Sequence, residues 1–177
     1  MADGALLIRP SRDEDVATIT AIYAHHVLHG IASFEEVPPM TEEMARRRAA
    51  LLERGFPYFV AELAGKVIGY SYAGPYRARV GYRFSVEDSI YIDVNEVGRG
   101  IGRALLAQVI ERSTELGYRQ MIAVIGGAET WPSINLHKAL GFAQIGTFTG
   151  IGFKFGRWID SVYMQRALGQ GNTTLPG

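Results

Sequence analysis

One stretch, Ser89 to Leu106, constrains this chain more than any other. Its first part, Ser89-Ile90-Tyr91-Ile92-Asp93-Val94, is β-branched and aromatic, with Ile90, Ile92 and Val94 in alternation, and predicts a strand. Gly98, Gly100 and Gly102 follow at every second position, where the backbone is free in φ and no Cβ keeps a ligand away. From Ile101 the period becomes helical. Ile101, Leu105, Val109, Ile110 and Leu116 fall near one face, Arg103, Glu111 and Glu115 fall elsewhere, and Gly117 is a stop. Strand, glycine loop and helix can hold a phosphate, because the first N–H groups of a helix lack internal partners and carry about half a positive charge. The same turn also serves as a flexible connection without a ligand. A P-loop needs Lys-Ser/Thr after its last glycine, and a dinucleotide turn needs a third glycine where Arg103 stands; Arg103-Ala104 satisfies neither.

The rest of the composition narrows the chemistry. A chain of 177 residues is long enough for one unstapled core, expected over residues 1–168, with 169–177 as a disordered tail. Eighteen basic residues balance eighteen acidic ones, which argues against nucleic acid or an anionic membrane as the main target. Cysteine is absent, which excludes disulfides, thiolate metal sites and an acyl-cysteine intermediate. No apolar run approaches the ~20 residues of a membrane span. The start, Met1 to Ala5, lacks a basic region followed by an apolar one, so a cytoplasmic location is expected.

Along the chain, Ala5 to Arg9 reads as a strand ended by Pro10, and Ser11-Arg12-Asp13-Glu14 as a capping box. The helix that follows buries Val16, Ile19, Tyr23 and Val27, and its His25, His26 and His29 read as exposed or interface residues. Thr41 caps a second helix that ends near Gly55. Tyr58–Leu63 and Lys66–Tyr72 form a hairpin around Gly65. Ala73 to Val86 is a long loop dense in arginines and aromatics, a composition more often functional than idle. Met121–Ile125 reads as a buried parallel strand, Trp131–Leu140 as a helix with Pro132 in its first turn, and Ala143–Phe155 with Trp158–Arg166 as the last strand pair. Trp131 reads as a core or interface residue.

This order of elements, with a glycine loop at the central crossover, resembles the GNAT acetyltransferase superfamily, whose pyrophosphate loop maps onto Val97 to Gly102. Separate segments sharpen the likeness: Ala73 to Arg79, Val86 to Ile92, Ala123 to Gly126, His137 to Phe142 and Gly152 to Trp158 are similar to the phosphinothricin N-acetyltransferase branch, which includes methionine sulfoximine and methionine sulfone acetyltransferases. The resemblance implies an α/β fold of GNAT type, a mixed central sheet splayed at the acetyl-CoA site and flanked by helices. It implies acetyl-CoA as donor, a small-molecule amine as acceptor, and a homodimer. On the cofactor side it places Ile90, Tyr91 and Ile92 beside the pantetheine, Val97, Gly98, Arg99, Gly100, Ile101 and Gly102 around the pyrophosphate, and Thr130 and Ser133 near the cofactor. Val97 stands where the family usually has Gln or Arg, and Thr130 where the branch commonly has Asn.

Direct acetyl transfer to an amine needs a base, because each unit between the amine pKa and the working pH costs about 1.4 kcal/mol. The resemblance puts the branch's glutamate at Glu87, just before the central strand; by sequence alone Glu87 reads instead as a solvated carboxylate or a partner of Arg77 or Arg79. His137, where most of the family has tyrosine, can protonate the departing thiolate or serve as a packed histidine. An amino-acid acceptor presents a carboxylate, which arginine grips with a bidentate fork. Arg77 and Arg79 are candidates, with Tyr76 and Phe34 as walls and Asp88 and Ser89 beside Glu87; Lys154 and Arg157 can approach from the last turn. The expectation is N-acetylation of a small glutamate- or methionine-like amino acid. The alternatives are another amine, such as a polyamine or protein lysine, and an acetyl-CoA-binding module without turnover.

Overall fold

The computed structural model describes residues 5–176; the first four residues, on which most of the leader expectation rests, and Gly177 lie outside it. Seven strands form one mixed sheet in the order β1-β2-β3-β4-β5-β7-β6. They are β1 (Leu7–Pro10), β2 (Tyr58–Leu63), β3 (Lys66–Pro75), β4 (Ser85–Ile92), β5 (Gln120–Gly126), β6 (Ala143–Lys154) and β7 (Arg157–Ala167). Helices α1 (Val16–His29) and α2 (Thr41–Glu53) cover one face, where Tyr23, Met44, Tyr58, Val60, Tyr70 and Tyr91 are buried together. Helices α3 (Ile101–Glu115) and α4 (Trp131–Ala139) cover the other, over Ile68, Val86, Leu105, Leu106, Val109, Met121 and Ile134. The expected α/β fold is therefore present, and the apolar stripes read from the sequence lie under these helices.

One feature of the sheet positions everything that follows. β4 and β5 are the parallel pair, and they are bonded only at Ser85–Gln120, Val86–Met121 and Glu87–Ile122. Beyond that point β4 stays with β3 as far as Ile92, and β5 stays with β7 as far as Gly126. The two strands part, leaving the inner edge of β4 from Asp88 onward without a strand partner. Crevices beyond the carboxyl ends of parallel strands are where open α/β sheets take ligands.

Several local expectations are corrected. β4 begins at Ser85, so Glu87 lies inside the central strand rather than before it, and Val94 belongs to a short 3-10 turn instead. The cause is period two: Val86, fully buried, shares one side of the pleat with Asp88 and Ile90, and Ser85, Glu87 and Ser89 face the other. The arginine-rich loop is correspondingly shorter, since β3 continues to Pro75. The capping box shifts by one residue: the Asp15 carboxylate accepts the Arg12 N–H at 2.7 Å, while Ser11 Oγ accepts Arg48 Nε–H at 2.8 Å. Met40, not Thr41, occupies the N-cap of α2, and makes no side-chain cap. Leu116 follows α3 and is 39% exposed, outside the buried stripe. After Leu168 the chain runs in turns against Arg119, which donates to Gly171 O, Thr174 Oγ1 and Leu175 O.

Candidate active site

The parting of β4 and β5 opens a cleft of about 250 Å³ lined by Ile31 to Phe34, by Glu87 to Tyr91, by Ala123 to Gly126, and by Thr130, Ser133, His137 and Ser161. The cleft passes through the sheet, so residues from both faces of β4 reach it. Glu87, Ser89 and Tyr91 point toward α1 and α2; Asp88 points toward α4. Glu87 also borders a second hollow on the α2 side, with Arg47, Leu51, Arg54, Tyr72, Gly74 and Ser89. It therefore stands at the wall between two approaches.

Burial raises the Glu87 carboxyl from its ordinary 4.5 to about 7, the Asp88 charge adds to the rise, and Arg77 opposes it. A carboxylate poised near neutrality is the form a general base needs. Arg77 lies over the rings of Tyr76 (5.2 Å) and Tyr82 (5.9 Å) and is exposed, free to meet an anion. Arg79 lies farther out, in a hollow it shares with Arg54, Arg77, Arg83 and Tyr118. Among the described residues none of these four arginines has a carboxylate within salt-bridge distance. Tyr163 on β7, which sequence reasoning missed, stands near this group: burial raises its hydroxyl, Tyr76 and Glu87 add to the rise, and Arg77 opposes it. Its signal was the alternation of β7, in which Val162 and Met164 are the buried partners.

The front of the cleft is made by the chain after α1, and glycines hold it close. A Cβ on Gly126 would come within 2.0 Å of the Ile31 carbonyl oxygen, and one on Gly152 within 2.5 Å of the Phe34 ring. Lys154, expected near the site, is 1% exposed and donates to the carbonyls of Gly30 (2.9 Å) and Ser33 (2.7 Å). It anchors the wall that carries Phe34. Arg157 instead pairs with exposed Glu129 at 3.2 Å.

Asp88, expected on the substrate side, lines the same cleft with its side chain buried. Its side chain is 2% exposed and its Oδ2 lies 3.1 Å from His137 Nε2. His137 Nδ1 donates to the Ser133 carbonyl at 2.7 Å, and the Phe142 ring meets the imidazole edge-on. Desolvation, the largest influence, pulls His137 down, but the Asp88 hydrogen bond and charge and the Ser133 carbonyl together leave it raised. On α1, His26 is half-buried rather than exposed and donates Nε2–H to the Ile92 carbonyl at 2.8 Å, capping the end of β4. Trp131 is 59% exposed and so is not a core residue.

The glycine loop takes the conformation its composition allows. Gly98 and Gly100 have φ of 79° and 78°, and Gly100 is the N-cap of α3. Ala104 N–H is bonded back to Gly100 O at 3.2 Å, so the N–H groups of Ile101, Gly102 and Arg103 precede the helical ladder and are available to an anion. Gly102 has a packing role: a Cβ there would be 3.2 Å from Leu136 of α4. Val97 is exposed, Arg99 pairs with Glu96 at 2.5 Å, and the Thr130 hydroxyl donates to Gly126 O at 2.8 Å. Unpaired strand edge, free helix N–H groups and a channel between them fit a long ligand with amides at one end and phosphates at the other.

Comparison with known proteins agrees with this geometry. Residues 8–163 match the family model described as an acetyltransferase (GNAT) domain. The chain is 52% identical to a phosphinothricin N-acetyltransferase of Alcaligenes faecalis over 99% of its own length and 89% of that protein's. It is 36% identical to an L-methionine sulfoximine/L-methionine sulfone acetyltransferase of Salmonella typhimurium over 92% of its length and 95% of that one's. Its structure is similar to the crystal structure of a phosphinothricin acetyltransferase from Sinorhizobium meliloti in complex with acetyl-CoA, with a TM-score of 0.95, 50% identity, and coverage of 97% of this chain and 93% of that one.

Proposed function

As the chain belongs to the GNAT acetyltransferase family and is an acetyl-CoA-dependent N-acetyltransferase, we propose that its acceptor is the α-amino group of a small amino acid of phosphinothricin, methionine sulfoximine or methionine sulfone type. The observation that carries this reading is Glu87: a carboxyl raised to about 7 at the cleft wall, with the unpaired Arg77 close enough to influence it. Arg77 takes the substrate carboxylate, with Arg79 drawing it in from the outer hollow, and Phe34, Tyr76 and Ser89 shape the space around it. Glu87 removes the ammonium proton, directly or through water. The edge of β4 at Ile90, Tyr91 and Ile92 offers backbone groups to the pantetheine, as an added strand would find, and an N–H for the oxyanion that forms on attack. The N–H groups after Gly100 hold the pyrophosphate, and Thr130 and Ser133 flank the channel. Because the pyrophosphate contact is made by backbone, Val97 is tolerated where a polar side chain is usual. His137 protonates the departing thiolate. A cytoplasmic reaction without nucleic acid or membrane is part of the proposal, supported by the balanced charge of the chain; among the described residues no helix is long and apolar enough to cross a bilayer.

Unpaired arginines at the acceptor side weigh against a polyamine, which they would repel. CoA release with acetyl-CoA and a panel of methionine sulfone, methionine sulfoximine, phosphinothricin, spermidine and a lysine peptide tests the assignment: selective turnover of the three amino acids supports it, and turnover of spermidine alone overturns it. We also propose a homodimer. Ile145, Phe148, Ile151, Phe153, Phe155 and Trp158 of the β6–β7 hairpin are each more than half exposed, an apolar row larger than scattered surface residues make.

A further inference from the structure

We propose that Asp88 is a positioning residue for the leaving-group acid: it shares one proton with His137 in the wall of the cleft, and that proton goes to the CoA sulfur as the thioester breaks. This deepens the role given to His137 above and rests on it. The hydrogen positions follow from the partners. A carbonyl oxygen only accepts, so the 2.7 Å contact with Ser133 O requires a hydrogen on His137 Nδ1. Nε2 then faces Asp88 Oδ2 at 3.1 Å, and only a proton between the two makes that contact favourable. Both side chains are 2% exposed, so neither is stabilised by bulk water as a separate charge.

The second carboxylate oxygen sharpens the case. Asp88 Oδ1 is buried and, among the described residues, has no hydrogen-bond partner. A buried oxygen without a partner is costly, so a purely structural contact here would be cheaper as an apolar pair. Asp88 and His137 both line the cleft, and Phe142 fixes the imidazole plane. The charged groups facing the pair are few. Glu87 adjoins Asp88 on β4, Arg77 acts on Glu87 from the loop before it, and the other residues lining the cleft carry no charge. Asp88 thus acts on both proton transfers, because its charge also strengthens Glu87 as a base.

The protons balance. Glu87 takes the first ammonium proton and passes it to solvent, and then takes the second as the C–N bond forms. The C–S bond breaks with its electron pair going to sulfur, which takes the proton shared by Asp88 and His137. Solvent then removes the proton from Glu87 and restores one to the pair, for a net release of one proton per acetyl transferred.

The test is the pH dependence of kcat/KM for methionine sulfone in the full-length wild type, in Asp88→Asn and in Glu87→Gln, together with an NMR titration of the His137 ring in the wild type and Asp88→Asn. Asparagine keeps a hydrogen-bond partner for Nε2 but no charge. Expected in Asp88→Asn are a fall in kcat of tenfold or more at pH 8, an unchanged acetyl-CoA Kd, and both limbs of the profile moved to lower pH. The His137 ring, protonated at Nδ1 throughout in the wild type, should lose its second proton at a pH at least one unit lower in the variant. A basic limb and a ring titration that do not move, with kcat within twofold, overturn the proposal. Should Asp88→Asn fail to fold, a wild-type His137 that titrates below its ordinary value overturns it equally. Glu87→Gln removes only the acidic limb, so failure of the base assignment reads out separately.

Discussion

At the scale of single residues, Glu87 has the largest consequences. Its folded-state pKa, about 7, lies above the ordinary 4.5, so the folded state holds a proton that the unfolded chain has released between those values. Stability contributed by the neutral carboxyl is intact below 4.5 and is lost as pH rises to 7. Glu87→Gln is therefore expected to stabilise the fold by about 3 kcal/mol at pH 8 and by almost nothing at pH 4, checked by urea unfolding at both pH values. On the proposed mechanism the same substitution removes the base, so stability at this position is given up for activity. The residue's identity as a candidate was legible through its resemblance to a family motif, but its environment was not: only the fold shows that burial and Asp88 raise it together. The burial of Asp88 against His137 was not legible, because adjacent residues on a strand face opposite ways and a strand boundary set a few residues late hides that.

At the scale of elements, the glycines of β5 and β6 and the lysine at the end of β6 hold the chain after α1 over the cleft. Gly126→Ala would drive a methyl against the Ile31 backbone, which cannot swing aside as a side chain can. A loss of about 1–3 kcal/mol in stability is expected from such overpacking, read as a lower unfolding midpoint. Gly152→Ala meets the Phe34 ring, so its expected effect is a raised KM for the amino acid with acetyl-CoA binding unchanged, read by initial rates. Lys154→Met leaves the carbonyls of Gly30 and Ser33 without their donor, and about 2 kcal/mol of destabilisation is expected on unfolding in denaturant. Helices and strands were readable from periodicity because their apolar faces bury against the sheet. The wall was not readable, since it depends on contacts between residues more than a hundred positions apart, as Lys154 and Gly30 are.

At the scale of the whole molecule, a sheet that parts at one place makes a single opening for two substrates. The parallel pair holds for three residue pairs and then parts; on the proposed reading the donor binds along the freed edge of β4 and the acceptor meets Glu87 from the side of Arg77. This architecture was legible in outline, because a glycine loop after a strand marks the crossover; where the strands part was not, since pairing is made by backbone hydrogen bonds that side-chain periodicity does not report. The proposed homodimer would form through the apolar β6–β7 hairpin. Trp158→Glu combined with Phe153→Asp should convert a dimer to a monomer by sedimentation, whereas an unchanged mass would remove this face from the interface. The most direct measurement is CoA release with methionine sulfone as acceptor, followed from pH 5 to 9 in the wild type and Glu87→Gln. The account expects wild-type kcat/KM to rise through pH 7 and Glu87→Gln to lose a hundredfold or more together with that rise. A loss of less than tenfold with the rise intact would contradict it.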